Sequence, residues 1–175
     1  MEQPTDSEIV RRVAEGDTEA FAIVVERYSE AVYHLVLGML RDRQQAEEVT
    51  QECFVRAFEH LDRFRGGSAL STWLYRIAYN RAVDCGRRRR FLSLRPLHEA
   101  LPEPDDAPRY GEEEVVAVRR ALARLSPDER ALIALRYEEE LPVAEVAEIT
   151  GLSVANVKVK LHRTRTLLRK YMDKA

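Results

Sequence analysis

Residues Phe64 to Arg90 read FRGGSALSTWLYRIAYNRAVDCGRRRR. Phe64-Arg65-Gly66-Gly67-Ser68 predicts a loop loosened by glycine, and the remainder predicts one long helix that carries Trp73, Tyr75 and Tyr79 and ends in the arginines Arg87 to Arg90. At the helical advance per residue, Arg76, Asn80, Val83 and Arg87 share one face, while Leu70, Leu74 and Ile77 lie opposite. An apolar face anchors such a helix in a core. The other face then offers cations, an amide and neighbouring rings, which are the parts needed to hold an unstacked nucleic-acid strand. The same residues also suit a core helix with packed aromatics and a solvated basic end.

Upstream of this stretch the chain predicts three more helices. Thr5-Asp6-Ser7-Glu8 has capping-box spacing, and Ile9, Val10 and Val13 make a short amphipathic helix stopped by Gly16. Asp17 caps the next, about Thr18 to Leu40, with Phe21, Val24, Val25, Tyr28, Val32 and Leu35 at core spacing. Asp42 followed by Gln45 caps a third, roughly Arg43 to Leu61. Its buried stripe is Ala46, Thr50, Cys53, Phe54, Ala57 and Leu61, and a separate face holds Glu48, Glu52, Val55 and Glu59. Such glutamates are usually just solvated, but an acidic face with an apolar centre also suits docking on a basic helical surface. Long helices with short connections imply an antiparallel bundle.

The character changes after Arg90. Phe91 to Gly111 holds Pro96, Pro102, Pro104 and Pro108 among Glu99, Glu103, Asp105 and Asp106, which marks a flexible linker between two domains. Leu92, Leu94, Leu97 and Leu101 are more apolar than a passive linker needs. About 20 residues reach up to ~70 Å when extended, enough for two DNA sites two turns apart at ~34 Å per turn. The expected division is 1–91, 92–111 and 112–175: an all-α chain with an N-terminal helical bundle, the linker and a C-terminal helix-turn-helix domain.

In that last segment a helix begins near Glu112 with Val115, Val116, Val118, Ala121, Leu122 and Leu125 as its apolar set. Ser126-Pro127-Asp128-Glu129 then starts a helix containing Leu132, Ile133, Leu135 and Tyr137. Pro142 opens a short helix with Val143, Val146, Ala147 and Ile149. Thr150-Gly151-Leu152-Ser153 turns the chain, and a basic helix runs from Val154 towards Met172. There Val154, Val157, Leu161 and Leu168 are expected to bury. Asn156, Val159, Lys160 and Arg163 project oppositely, flanked by Lys158, His162 and Arg165. Amide and cationic groups near the start of such a helix reach base edges and phosphates in a major groove.

The 175 residues carry 45% hydrophobic and 33% charged side chains, a formal net charge of -2 and a pI near 6.1. A self-sufficient DNA-binding domain is usually clearly basic. Here the positive charge is local, which points to a chain that meets nucleic acid beside a larger partner. No apolar run suits membrane insertion and the N-terminus lacks export features, so a cytoplasmic location is expected. Cys53 and Cys85 lack metal-ligand spacing and fit a reducing compartment, and Cys53 lies on a buried stripe.

The sequence resembles bacterial RNA polymerase sigma factors of the extracytoplasmic-function (ECF) group over nearly its whole length. The resemblance is carried by Glu19-Ala20-Phe21, by Glu47-Glu48-Val49-Thr50-Gln51-Glu52-Cys53-Phe54, and by Phe64-Arg65-Gly66 with Thr72-Trp73-Leu74-Tyr75-Arg76-Ile77-Ala78. Leu125-Ser126-Pro127 and Gly151-Leu152-Ser153 through Lys158, Lys160, Leu161, His162 and Arg163 complete it. It implies that Glu48, Gln51, Glu52 and Phe54 dock on the coiled coil of the largest core polymerase subunit. It implies that Phe64, Arg65, Gly66, Ser68, Trp73, Asn80 and Asp84 help open and read the minus-ten promoter element by taking a base out of the stack. Arg76 and Arg87 join that set from the helical face above. The helix-turn-helix would read the minus-thirty-five element through Ser153, Asn156, Lys158, Val159, Lys160, His162, Arg163 and Arg165. An anti-sigma factor is the further implied partner, and no cofactor or metal is expected. Val159, Asn156 and Ala155 depart from the residues common at their positions, which bears on the promoter sequence read. Asp84, an acid near a DNA-facing surface, either pairs with Arg81 or selects a base.

Two other classes compete. A stand-alone helix-turn-helix regulator leaves the acidic third helix and the Trp73 stretch without a task. An enzyme finds little support: His34, His60, His98 and His162 are scattered, and Gly66-Gly67 lacks the lysine and the strand-loop-helix setting of a nucleotide site.

Overall fold

The computed structural model describes residues 4–92 and 113–172, with side chains described over 4–88 and 116–172. Among these residues the chain forms eight α-helices and no strand. They are α1 (Asp6–Ala14), α2 (Phe21–Leu40), α3 (Arg43–Glu59), α4 (Leu70–Leu92), α5 (Glu113–Ala123), α6 (Pro127–Ile133), α7 (Val143–Thr150) and α8 (Val154–Met172). The expected linker and its prolines lie outside the described residues.

Local chemistry sets most helix starts. Thr5 and Glu8 close a reciprocal capping box on α1, and Ser126 and Glu129 close another on α6 with Pro127 in the first turn. Asp42 accepts from the Gln45 amide to start α3. Asp17 caps a single 3-10 turn, Thr18–Ala20, so α2 begins at Phe21, later than its periodicity suggests. α3 likewise stops at Glu59, and Leu61 belongs to a 3-10 turn that runs to Arg63.

α2, α3 and α4 pack on one another, and the core runs on without a break into α6, α7 and α8. Ile9, Val24, Leu35, Met39, Leu70 and Leu74 are buried in the first half. Leu132, Leu135, Val146 and Ile149 are buried in the second. Burying each such side chain contributes about 1.5–3 kcal/mol. The halves are clasped at the end of α2, where Arg41 turns left-handed (φ 56°) and its guanidinium donates to the Ala123 carbonyl at 2.9 Å. Arg130 donates to the carbonyls of Gly38, Leu125 and, at 3.0 Å, Met39. Burial works against the charge on Arg130, as does the nearby Arg41. The three carbonyl oxygens compensate that loss of water.

Several expected core positions are not core. Val118 and Val154 are exposed, Leu168 is only half-buried, and Tyr137 stands open on a π-helical turn, Ala134–Glu138, that extends α6. Val154 is the first residue of α8 and stands at the open end of its apolar stripe. Thr164 takes a buried position instead. In α4 the face holding Leu70 and Leu74 is buried, but Ile77 is half-exposed at its edge. Thr72, Tyr75, Ala78 and Ala82 are buried as well.

Candidate polymerase and nucleic-acid interfaces

α3 turns its acidic side outward. Glu48, Gln51, Glu52 and Glu59 are exposed, and among them Val55 is 58% and Phe58 42% exposed. The Phe58 ring meets Phe21 edge-on at 5.2 Å, so a core aromatic steadies it. Its exposure was missed in the sequence because it flanks the buried stripe. Phe54, placed on the buried stripe by periodicity and at the docking surface by the resemblance, is buried at 8% exposure on the core side of α3. Glu52 is not a free docking carboxylate either: Arg81 of α4 donates to it, and this pairing raises the Arg81 pKa. Of the two alternatives for Asp84, pairing with Arg81 meets an Arg81 already bonded to Glu52, and Asp84 adds only to the field there.

Between α3 and α4 the loop holds Arg65 and Gly66 exposed and Phe64 and Ser68 half-buried. Gly66 has φ +70°, a left-handed turn that favours glycine. The Phe64 and Trp73 ring centroids lie 5.5 Å apart at 51°, which makes a paired aromatic ledge at the mouth of the loop. Next to it on α4, Arg76, Asn80, Asp84 and Arg87 are exposed. Trp73 and Asn80 thus share an open side with two guanidinium groups.

Tyr75, counted among the available rings from sequence, is 3% exposed, and its hydroxyl donates to Glu139. Burial, and then this carboxylate, push the phenol's pKa up. Tyr79 is half-buried beside Asp128 and is pushed up to about 12, again chiefly by burial. No sequence signal marked either, because their partners lie far along the chain.

In the second half α7, the turn and α8 adopt the expected helix-turn-helix. Gly151 supplies the left-handed residue (φ +71°) that ends α7. The Ser153 hydroxyl accepts from the Asn156 amide at 3.2 Å and caps α8, so its first task is structural. Val157, Leu161 and Thr164 hold α8 down. Ser153, Asn156, Lys158, Val159, Lys160, His162, Arg163 and Arg165 are all exposed. Such a helix presents a continuous strip of donors and cations to a groove.

Comparison with known proteins settles the family. The Sigma-70 region 2 model matches residues 24–91 and the Sigma-70, region 4 model matches 116–168. The ECF RNA polymerase sigma factor SigW of Bacillus subtilis (strain 168) is 33% identical over 93% of this chain and 94% of its own length. The chain belongs to the ECF sigma factors. This sigma factor directs core RNA polymerase to specific promoters and assists DNA melting at initiation, and a stand-alone regulator is not favoured. It is also similar to the ECF RNA polymerase sigma-E factor of Escherichia coli (strain K12), 35% identical over 94% of this chain and 92% of that one. Of solved structures, CnrH in complex with the cytosolic domain of CnrY superposes with a TM-score of 0.71 at 25% identity, covering 95% of this chain and 96% of that chain. The sigma factor RpoE in complex with the anti-sigma factor NepR, from Bartonella quintana, shares the fold at a TM-score of 0.74 and 22% identity, over 87% of this chain and 96% of that one. No helix among the described residues is long and apolar enough to cross a membrane.

Proposed function

We propose how the work of this sigma factor divides among its surfaces. Residues 1–91 dock on polymerase and read the minus-ten element, 92–111 link, and 112–175 read the minus-thirty-five element. Glu48 and Gln51, with Glu52 held by Arg81, form the polar part of the docking face on the coiled coil of the largest polymerase subunit. Val55 and Phe58 supply its apolar centre in place of the buried Phe54. Trp73 with Phe64 stacks the unpaired strand, Arg65, Arg76 and Arg87 take its phosphates, and Asn80 meets a base edge. On α8 Asn156, Lys158, Lys160, His162, Arg163 and Arg165 contact duplex DNA, and Val159 offers an apolar contact.

The observation that carries this reading is the segregation of the three faces. Acidic and apolar residues project from α3, aromatic and cationic ones from the start of α4, and cationic ones from α8, each backed by one buried core. The chain carries no catalytic chemistry of its own; strand opening draws on binding energy gained only by the melted strand. It works in the cytoplasm, and an anti-sigma factor holds it inactive, as the two structural neighbours are each held by another protein.

Transcription by purified core polymerase, programmed with this chain on a promoter library, tests the division. Lys160→Ala and Arg163→Ala are each expected to lower promoter use while polymerase binding persists. An equal loss of both functions would overturn the assignment of α8.

A further inference from the structure

The buried stripe of α8 is marked by Val157, Leu161 and Thr164. At ~100° per residue, Val159 points within about 20° of straight away from the middle of that stripe. Polar and cationic side chains fall to its two sides. Asn156, Lys160 and Arg163 line one flank, and Lys158, His162 and Arg165 line the other, all of them exposed. Val159 itself is 48% exposed. A lone exposed valine is ordinary on a protein surface; its direction singles this one out. Its companions on the same line add little polarity. Ala155, one turn earlier, has no polar side-chain atom, and the Thr166 hydroxyl, two turns later, donates to the His162 carbonyl at 3.1 Å.

Widths decide what such a residue meets. An α-helix with its side chains is ~10–12 Å across, and the major groove of DNA is ~12 Å wide and ~8.5 Å deep. A helix seated there fills the groove. Side chains on its two flanks meet the phosphates of the walls, and the residue opposite its buried stripe meets the floor. In α8 that residue carries an isopropyl group. It bonds to none of the carbonyls, ring nitrogens or amino groups of the base edges, and pressed against them it removes their water without replacing it. Thymine alone displays an apolar group on the floor, its 5-methyl, and there both partners gain by leaving water. Branching at Cβ holds valine in one strongly preferred rotamer within a helix, so the contact is set before DNA arrives.

We infer that Val159 is a specificity-determining residue of this sigma factor, which reads a thymine of the minus-thirty-five element through its 5-methyl group. Cytosine is rejected at that position, because its edge carries an amino donor and no methyl. The inference rests on the assignment of α8 to that element and goes further by naming the base and the group on the base.

The test uses holoenzyme assembled from core polymerase and the full chain, on a duplex promoter that this holoenzyme has selected from a random library. Each thymine of the upstream element is replaced singly by deoxyuridine, which removes the 5-methyl group and leaves pairing intact. Binding is read by equilibrium competition. One replacement is expected to weaken binding about fourfold, the effect of withdrawing one methyl-sized group from burial. With Val159→Ser, a change at an exposed position, that same replacement is expected to make no difference, while the other thymines behave as before. A scan that is flat at every thymine, a selected upstream element without thymine, or a uracil effect that persists in Val159→Ser would each overturn the inference. Lys160→Ala, measured on the same promoter, separates the two levels. If it weakens binding and the scan is flat, only the role of Val159 falls. If it leaves binding unchanged, the assignment of α8 has failed, and the role of Val159 falls with it.

Discussion

Burial pushes the Cys53 thiol up to about 12, with only partial relief from the neighbouring Arg81. At pH 8 the reactive thiolate of such a group is about one part in ten thousand. Cys85 is half-buried and donates to the Gln45 side chain at 3.5 Å. Iodoacetamide at pH 8, followed by mass spectrometry of peptides, is expected to label Cys85 and to reach Cys53 only after unfolding. Equal labelling would mean that α3 opens freely. A second residue-scale prediction concerns Lys160, exposed on α8. Its replacement by alanine should weaken duplex binding and reduce the salt slope of log affinity by about one, as removal of a single phosphate contact does.

Helices α3 and α4 are tied together by the pair Glu52 and Arg81, whose side chains are 51% and 17% exposed. Charge reversal at Glu52 places two cations together and should cost on the order of 1–2 kcal/mol, between the limits for exposed and buried pairs. Reversal at Glu48, which only accepts from Gln44 across one helical turn, should leave stability within about 0.5 kcal/mol. Both reversals are expected to weaken core-polymerase association, whereas thermal melting should separate them: only Glu52→Lys lowers Tm, by about 2–8 °C. Loss of polymerase binding without that difference in melting would place Arg81 elsewhere. The capping boxes of α1 and α6 belong to the same scale. Ser126→Ala should destabilise by about 1 kcal/mol, read from a denaturant midpoint.

The contact between the halves has an alkaline limit. Tyr75 and Tyr79 both carry raised phenol pKa values, chiefly from burial and then from Glu139 and Asp128, with Arg87 acting weakly the other way on Tyr79. A raised value means that the folded state favours the neutral phenol. The contribution is therefore complete below pH 10, the ordinary value, and is lost as pH climbs through the raised values, about 12 for Tyr79. Scattering followed from pH 8 to 12 should show the radius growing above pH 10, together with a late tyrosinate absorbance near 295 nm. A radius unchanged while the tyrosinate absorbance of both phenols appears would show that these hydroxyls do not hold the halves together.

Most of what the chain does was legible in its order of residues. Thr5 with Glu8, Ser126 with Glu129, Asp42 with Gln45 and the Gly151 turn act within three or four positions, so their spacing declares the helices they start or end. The cationic strip on α8 was legible for the same reason, since periodicity alone separates Asn156, Lys160 and Arg163 from Val157 and Leu161. The order of motifs implied the family. Tertiary structure alone decided which members of each face are free. Phe58 turned outward, Glu52 found Arg81 across 29 positions, and Tyr75 found Glu139 across 64. A helical pattern says which side chains share a face; only the packing of another helix, brought from elsewhere in the chain, says which of them that face still offers to a partner.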